Sequence, residues 1–351
     1  MYLKYKVDSK YDGKTAQFIL KNELGLSTRM CNKIKLNQAL KRNNLFCANK
    51  DFVEAGDTLE VELNFPNELV GNIENPYNID VVFEDEWYVI VNKPALLPTH
   101  PRFYGDDGLS TILSEYKLYP ANRLDVGTSG LVIMAKNPYA QDMISKISIQ
   151  KIYLAMSHNF LPEKSGVITA PIGREENTII FRKVSTQGKN ALTHYRVLAE
   201  WEENKVSLIA FLLETGRTHQ IRVHCRYVGC PLVGDQFYGW EQTYRYTKEI
   251  RENGKLGYYL KKDNRDYHDA SLARDFEALK LNRELQRQFL HAYILDFNHP
   301  ITGEALHLKA KLAEDLEKLL QKVQGCEEKS IKYEKIHELL QIKVEPSVRK
   351  S

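Results

Sequence analysis

The residue best placed to do chemistry is an aspartate on a turn directly before an apolar strand. Asp125 stands in Asn122-Arg-Leu-Asp-Val-Gly-Thr-Ser-Gly130, and Leu131-Val-Ile-Met-Ala135 follows. The carboxylate thus shares a loop with hydroxyls, backbone amides and glycines where a rigid strand begins, an arrangement that suits catalysis or binding. By itself the segment also reads as an ordinary turn, in which Asp bonds its own backbone and Gly accepts positive φ. A second island shifts the balance: Leu212-Leu-Glu-Thr-Gly-Arg-Thr-His-Gln-Ile-Arg-Val-His224, continued by Tyr227-Val-Gly-Cys-Pro-Leu-Val-Gly-Asp-Gln-Phe-Tyr-Gly239. The alternation Val206, Leu208, Ala210, Leu212 predicts a strand ending near Gly216. Ile221, Val223 and Tyr227 against Arg217, Arg222 and Arg226 then predict a helix with a basic face, suited to a polyanion.

Other chemistries find less support. Cys31, Cys47, Cys225, Cys230 and Cys326 are odd in number, scattered and without a Cys-x-x-Cys pair, which speaks against a disulfide framework or a zinc site. His219 and His224 are five apart, so a helix does not carry both on one face as it would at a spacing of four. No metal is expected. The absence of a Gly-x-Gly-x-x-Gly fingerprint or a P-loop agrees with a reaction that needs no cofactor.

Together the two islands resemble the RluA-type family of RNA pseudouridine synthases. Further matches are Ile79-Asp-Val-Val-Phe-Glu-Asp-Glu-Trp-Tyr-Val-Ile-Val-Asn-Lys-Pro94 with His100-Pro101, Lys151-Ile-Tyr-Leu-Ala155 and Pro171-Ile-Gly-Arg174. Gly188-Lys-Asn-Ala-Leu-Thr-His-Tyr-Arg196, Leu290-His-Ala292 and Phe297-Asn-His-Pro-Ile-Thr-Gly-Glu304 extend the likeness over roughly residues 76 to 312. In two places the sequence departs from the family pattern. The position before Arg123, usually histidine, is Asn122, which removes an imidazole but keeps a hydrogen-bonding amide. The stretch between Gly239 and Phe289 reads as an insertion, predicted helical from Ser271 to Arg287.

The resemblance implies isomerisation of a uridine already in RNA: the ribose bond to a ring nitrogen breaks, the held uracil turns, and a bond to a ring carbon forms. A carboxylate meets the positive character that the sugar carbon gains as the base departs. Asp125 would either add to that carbon or remove a neighbouring sugar proton. An anion that must stay ionised in a closed site calls for a cationic partner, and the resemblance assigns that role to Arg222. Tyr153 would stack on the uracil and could pass a proton, with Ile221 packing beneath the base. Because a base inside a stem is out of reach, the nucleotide must be extruded. The planar guanidinium of Arg123 could fill the gap left behind. Arg217, His219 and Lys93 are further candidates for contact with the substrate, alongside Arg102, Arg174 and Lys189.

Length and charge set the frame for these residues. At 351 residues two domains are expected, and no run approaches the ~18 apolar residues of a membrane helix. The N-terminus lacks the apolar core of a signal peptide, so a cytoplasmic location and no membrane partner are expected. The net charge of +3 is too small to indicate a nucleic-acid partner, but the first fifty residues hold eleven Lys or Arg against Asp8, Asp12 and Glu23, a local +8. This basic stretch, followed by the Gly56-Asp57 turn, resembles the small alpha-L RNA-binding fold of a ribosomal small-subunit protein. Phosphate attraction there would supply affinity without sequence information.

The expected fold is α+β: a mixed, largely antiparallel central sheet with flanking helices, plus a small N-terminal α/β RNA-binding domain. The expected boundaries are 1–65 for that domain, 66–78 for a linker, 79–312 for the catalytic domain with its insertion about 240–288, and 313–351 for a C-terminal helical tail. The expected partner of the monomer is RNA, either large-subunit ribosomal RNA, favoured by the appended domain, or transfer RNA. Two other classes of function compete. A noncatalytic RNA-binding or assembly protein would tolerate loss of Asp125, Tyr153 and Arg222, and all three are present. A glycosidase would normally show a second matched carboxylate.

Overall fold

The computed structural model describes residues 2–63, 77–101, 108–113, 117–176, 178, 180–239, 278, 280–325 and 335–342. The expected linker falls almost wholly outside these residues, as do Arg102 and most of the expected insertion, of which residues 280–284 are described as helical. The strands are β1 (Tyr2–Lys6), β2 (Leu40–Arg42), β3 (Leu45–Phe46), β4 (Thr58–Glu62), β5 (Asp80–Glu84), β6 (Tyr88–Lys93), β7 (Tyr119–Pro120) and β8 (Ser129–Ala135). After them come β9 (Gln150–His158), β10 (Ser165–Thr169), β11 (Ile172–Arg174), β12 (Arg182–Val184), β13 (Leu192–Trp201), β14 (Val206–Leu213), β15 (Leu290–Asn298) and β16 (Ala305–Lys309). The helices are α1 (Ala16–Asn22), α2 (Thr28–Leu36), α3 (Leu109–Ile112), α4 (Pro138–Ser145), α5 (Gln220–Tyr227), α6 (Glu314–Gln324) and α7 (Lys335–Leu340).

The chain forms two compact units, residues 1–90, 100–122 and 133–146 in one and 91–99, 123–132 and 147–351 in the other. In the first, β1-β4-β2-β3 make an antiparallel sheet beside α1 and α2. Thr15 and Ser27 cap these helices by accepting from the amides of Phe18 and Met30. Ile19, Leu20, Met30, Cys31 and Ile34 are buried, while Arg29 and Lys35 on α2 and Lys41 on β2 remain exposed. Gly56 makes the expected turn with φ +90, and Asp57 ties it down by accepting from the Glu54 amide and the Asn43 side chain. β5, the start of β6 and the end of β8 also lie here, with β7 paired to β8 at Met134 and Ala135. Asn122, at the position usually held by histidine, accepts from the Ile133 amide at 2.8 Å.

In the second unit the order is β10-β13-β14-β9-β15, with β16 on the far part of β15. The pairings are antiparallel except for β15 with β8, which run parallel through His291–Ser129 and Ala292–Gly130. The mixed, largely antiparallel sheet with helices agrees with expectation. Strand alternation sorts its side chains. Ile152, Leu154 and Met156 of β9 join Leu208, Ala210 and Leu212 of β14 in a core closed by Leu316, Leu319, Leu320 and Val323 of α6 and Ile336 and Leu339 of α7. Tyr153 and its cross-strand partner Phe211 therefore face the opposite side. β14 is buried on both faces, so its apolar alternation was half of a continuous apolar run.

Candidate active site

The turn that carries Asp125 is fixed at nearly every polar group. The Thr128 amide donates to the Asp125 carbonyl at 2.9 Å, closing the turn. Leu96 N–H and, at 3.5 Å, the Lys93 ammonium donate to the Val126 carbonyl. Arg287 donates to the Gly127 carbonyl at 3.0 Å, and the Gln288 amide donates to the Thr128 hydroxyl at 3.0 Å. Gly130 begins β8 at φ +111, where a Cβ would lie 2.2 Å from the Ala292 carbonyl oxygen, so the Thr-Ser-Gly sequence has a steric reason for its glycine. Polar backbone held this completely presents the neighbouring carboxylate in one place.

Asp125 itself is a quarter exposed, with its side chain 25% accessible, and its Oδ2 accepts from Arg222 Nη1 at 3.0 Å. Arg222 is almost wholly buried, and its other edge forms a fork on Asp235: Nε to Oδ2 at 2.7 Å and Nη2 to Oδ1 at 2.8 Å. Asp235 also accepts from the amides of Phe237 and Tyr238, both at 2.9 Å, and the guanidinium lies over the Tyr238 ring at 5.0 Å. Burial works against the charge on both partners. For Arg222 the two carboxylates overcome it and hold the guanidinium above its ordinary value. For Asp235 the hydrogen bonds and charge of Arg222 hold the carboxyl below the usual range. One cation therefore serves two anions, one sealed and one open to solvent. Such a fork fixes the guanidinium plane, and with it the direction from which Asp125 is held.

His219 adjoins the same carboxylate. Its Nε2 lies 3.8 Å from Asp125 Oδ1, and its Nδ1 lies 2.9 Å from the Tyr238 hydroxyl. Burial, opposed by Asp125, lowers its pKa, and its backbone is left-handed at φ 58, a conformation that non-glycine residues keep where surrounding structure enforces it. Gln220 enforces it here. Its carbonyl oxygen accepts from the Thr215 hydroxyl and the Arg217 amide, and its NH2 donates to the Leu192 carbonyl and the Thr193 hydroxyl.

The structure brings Asp125, Arg222 and His219 together, with Tyr153 buried near them; burial and then the Asp125 charge push its phenol well up. Ile221 is buried at the start of α5, and Arg123 is exposed two residues before the acid. Arg217 is half-buried and spends its Nε on the Asn190 carbonyl at 3.0 Å. Two expectations are corrected. The helix α5 has no basic outer face at Arg222: the helix is packed nearly all round, and its central arginine points inward to paired carboxylates. Nor is Lys93 a surface contact for phosphate. Its ammonium is fully buried and donates to the Pro94 and Leu97 carbonyls at 2.8 Å. Burial, and then the nearby Arg287 charge, bring it down to about 7 despite the pull of Asp125.

Sequence reasoning passed over Asp235, Arg287 and Gln288. Asp235 stood in view within Gly-Asp-Gln-Phe-Tyr-Gly, beside the arginine island, but its role depends on the burial of Arg222, which only the fold reveals. Arg287 and Gln288 close the segment read only as an insertion. Among the described residues no group of three or more His, Cys, Asp or Glu could hold a metal ion, and no helix is long and apolar enough to cross a membrane.

A sheet bearing a pinned, part-exposed aspartate beside a buried arginine can present one carboxylate oxygen to a substrate, and comparison with known proteins specifies the class. The family described as RNA pseudouridylate synthase matches residues 87–227. An RNA pseudouridine synthase of Bacillus subtilis, YhcT, is 31% identical over 330 residues, covering 90% of this chain and 96% of that protein. Ribosomal large subunit pseudouridine synthase D of Haemophilus influenzae is 31% identical over 285 residues, 77% of this chain and 78% of that one. A solved human structure, RNA pseudouridylate synthase domain containing 1, aligns with a TM-score of 0.48 at 24% identity over 73% of this chain and 97% of that one. The chain belongs to the RluA-type family of RNA pseudouridine synthases.

Proposed function

We propose that this synthase isomerises a specific uridine in large-subunit ribosomal RNA, with Asp125 as the group that acts on the ribose. The observation that carries the reading is the asymmetry of the Asp125 carboxylate: Oδ2 is held by Arg222 at 3.0 Å, and the side chain is still 25% accessible. A carboxylate fixed in place yet reachable is what a departing base requires at its sugar carbon. Tyr153, on the same side of β9, is the candidate to stack on the turning uracil, Ile221 to pack beneath it, and Arg123 to take the place of the flipped nucleotide. Arg217 and His219 border the substrate. The RNA preference rests on two supports: the relatives named for the large ribosomal subunit, and the exposed Lys and Arg of residues 1–65, proposed as a separate phosphate-binding domain acting in the cytoplasm.

The test is incubation of purified protein with unmodified transcripts of large-subunit ribosomal RNA and, separately, of transfer RNAs, followed by mapping of pseudouridine. Conversion at one ribosomal position supports the assignment. Conversion only in transfer RNA moves the substrate, released uracil makes the protein a glycosidase, and tight binding without conversion makes it a scaffold.

A further inference from the structure

A proton has to be placed in the line Arg182, Tyr238, His219, Asp125, and for a neutral imidazole one tautomer suits these contacts better than the other. The Arg182 amide can only donate, and it reaches the Tyr238 hydroxyl oxygen at 2.8 Å. That hydroxyl is 2.9 Å from His219 Nδ1. At the far side of the ring, Nε2 faces Asp125 Oδ1 at 3.8 Å, the oxygen that Arg222 Nη1 leaves untouched. A bare Nε2 lone pair would oppose the carboxylate, whereas Nε2–H would point a donor at it. With the proton on Nε2, Nδ1 is an acceptor and takes the tyrosine hydroxyl's hydrogen, while the hydroxyl oxygen takes the Arg182 amide. Each assignment supports the next.

We infer that Tyr238 and His219 are a positioning pair for Asp125, in which the tyrosine fixes the imidazole as the Nε2–H tautomer and the imidazole aims that hydrogen at the free carboxylate oxygen. Resting on the proposed role of Asp125, this goes further: it says which oxygen is steadied from outside the arginine and by what. The residues are built for the purpose. Tyr238 is fully buried and meets the His219 ring edge-on at 5.5 Å. Its phenol is pushed up to about 12, first by burial, so it stays a donor across the working range. The His219 backbone is left-handed beside the anchored Gln220 side chain, and the ring is held at Nδ1 by the Tyr238 hydroxyl. At 3.8 Å the pair is longer than a direct hydrogen bond, as contacts in substrate-free sites often are before the reacting complex forms.

Three variants and one spectrum decide the matter. In 15N-histidine-labelled wild type at pH 7.5, with the His219 signal identified by its loss in His219→Gln, the Nε2–H tautomer is expected. Tyr238→Phe keeps the ring and loses the hydroxyl, so it should mix or reverse that tautomer and lower kcat on the ribosomal transcript about five- to tenfold with KM unchanged. His219→Gln keeps a donor where Nε2 stood and should stay within about threefold of wild type, while His219→Asn, which cannot reach that far, should lose about tenfold. Asparagine tolerates left-handed backbone better than glutamine, so backbone strain would give the opposite order. An Nδ1–H or doubly protonated ring in wild type, an unchanged spectrum in Tyr238→Phe, or asparagine outperforming glutamine overturns the inference. The spectrum is read without turnover: an inactive wild type would defeat the proposed reaction and still leave the proton's position decided.

Discussion

Two regions of this molecule use the same residue types to opposite ends. At the Asp125 site, the supporting arginine and aspartate are withdrawn from water: the Arg222 and Asp235 side chains are 4% and 0% accessible. In residues 2–63 charged side chains are left in it, as in the Lys4–Glu60 pair with its lysine 66% accessible. A buried fork is costly to assemble and strongly directional, whereas exposed charges attract at a distance and fix no geometry. The first kind of network can place one oxygen atom; the second can only raise the local concentration of a polyanion. Net charge, being a sum over both, is silent about either.

The sharpest break of that comparison is Asp125→Asn. It should reduce pseudouridine formation by roughly three orders of magnitude or more, while RNA affinity in a filter-binding assay stays within severalfold; an active variant would remove Asp125 from the chemistry. Next comes Asp235→Ala, which leaves the Arg222 cation sealed without its fork partner. A loss of about 3–5 kcal/mol in urea unfolding is expected, with activity falling as well, although Asp235 does not reach the substrate. Stability unaltered within error would mean that the pair is hydrated in solution and that its directional role fails.

Acid should separate the regions further. Burial holds His158 and His224 down to about 4 and His291 down to about 3, while an unfolded histidine titrates near 6.5. Between those values the unfolded chain binds protons that the folded chain refuses, so stability is complete above about pH 6.5 and falls as the pH is lowered towards 4. Each unit of depression corresponds to about 1.4 kcal/mol. Calorimetry from pH 7 to 4 should show a steadily falling Tm, and a flat profile would contradict the buried neutral rings.

The site was legible where the chemistry is local in sequence and obscure where it is contributed from afar. Asp125, Arg222 and Tyr153 each stood in a short motif, and the strand β14 followed from its apolar alternation. The inward turn of Arg222 was not readable, because helical spacing shows which residues share a face but not whether a carboxylate waits inside the protein. Lys93 misled for the same reason: a lysine after an apolar strand looks solvent-bound, and the carbonyls of Pro94, Leu97 and Val126 that take its protons become an acceptor nest only on folding. The help from Arg287 and Gln288 crosses 160 residues, a distance over which no pattern in the chain connects them to the Asp125 turn.

The smallest effects should come from the exposed region and take a different form. Replacing Arg29, Lys35 and Lys41 together by alanine removes exposed cations from α2 and β2, and none of them is needed to hold a particular atom in place. Binding to ribosomal and unrelated transcripts should weaken to a similar degree, with the slope of log affinity against log salt becoming shallower by about 0.7 to 0.9 for each lost phosphate contact. The turnover rate at saturating RNA should not change, since attraction through screened charge contributes equally to ground state and transition state. A selective loss on the ribosomal transcript alone would assign these side chains to recognition of a structure, and the division between a region that attracts and a region that places would have to be redrawn.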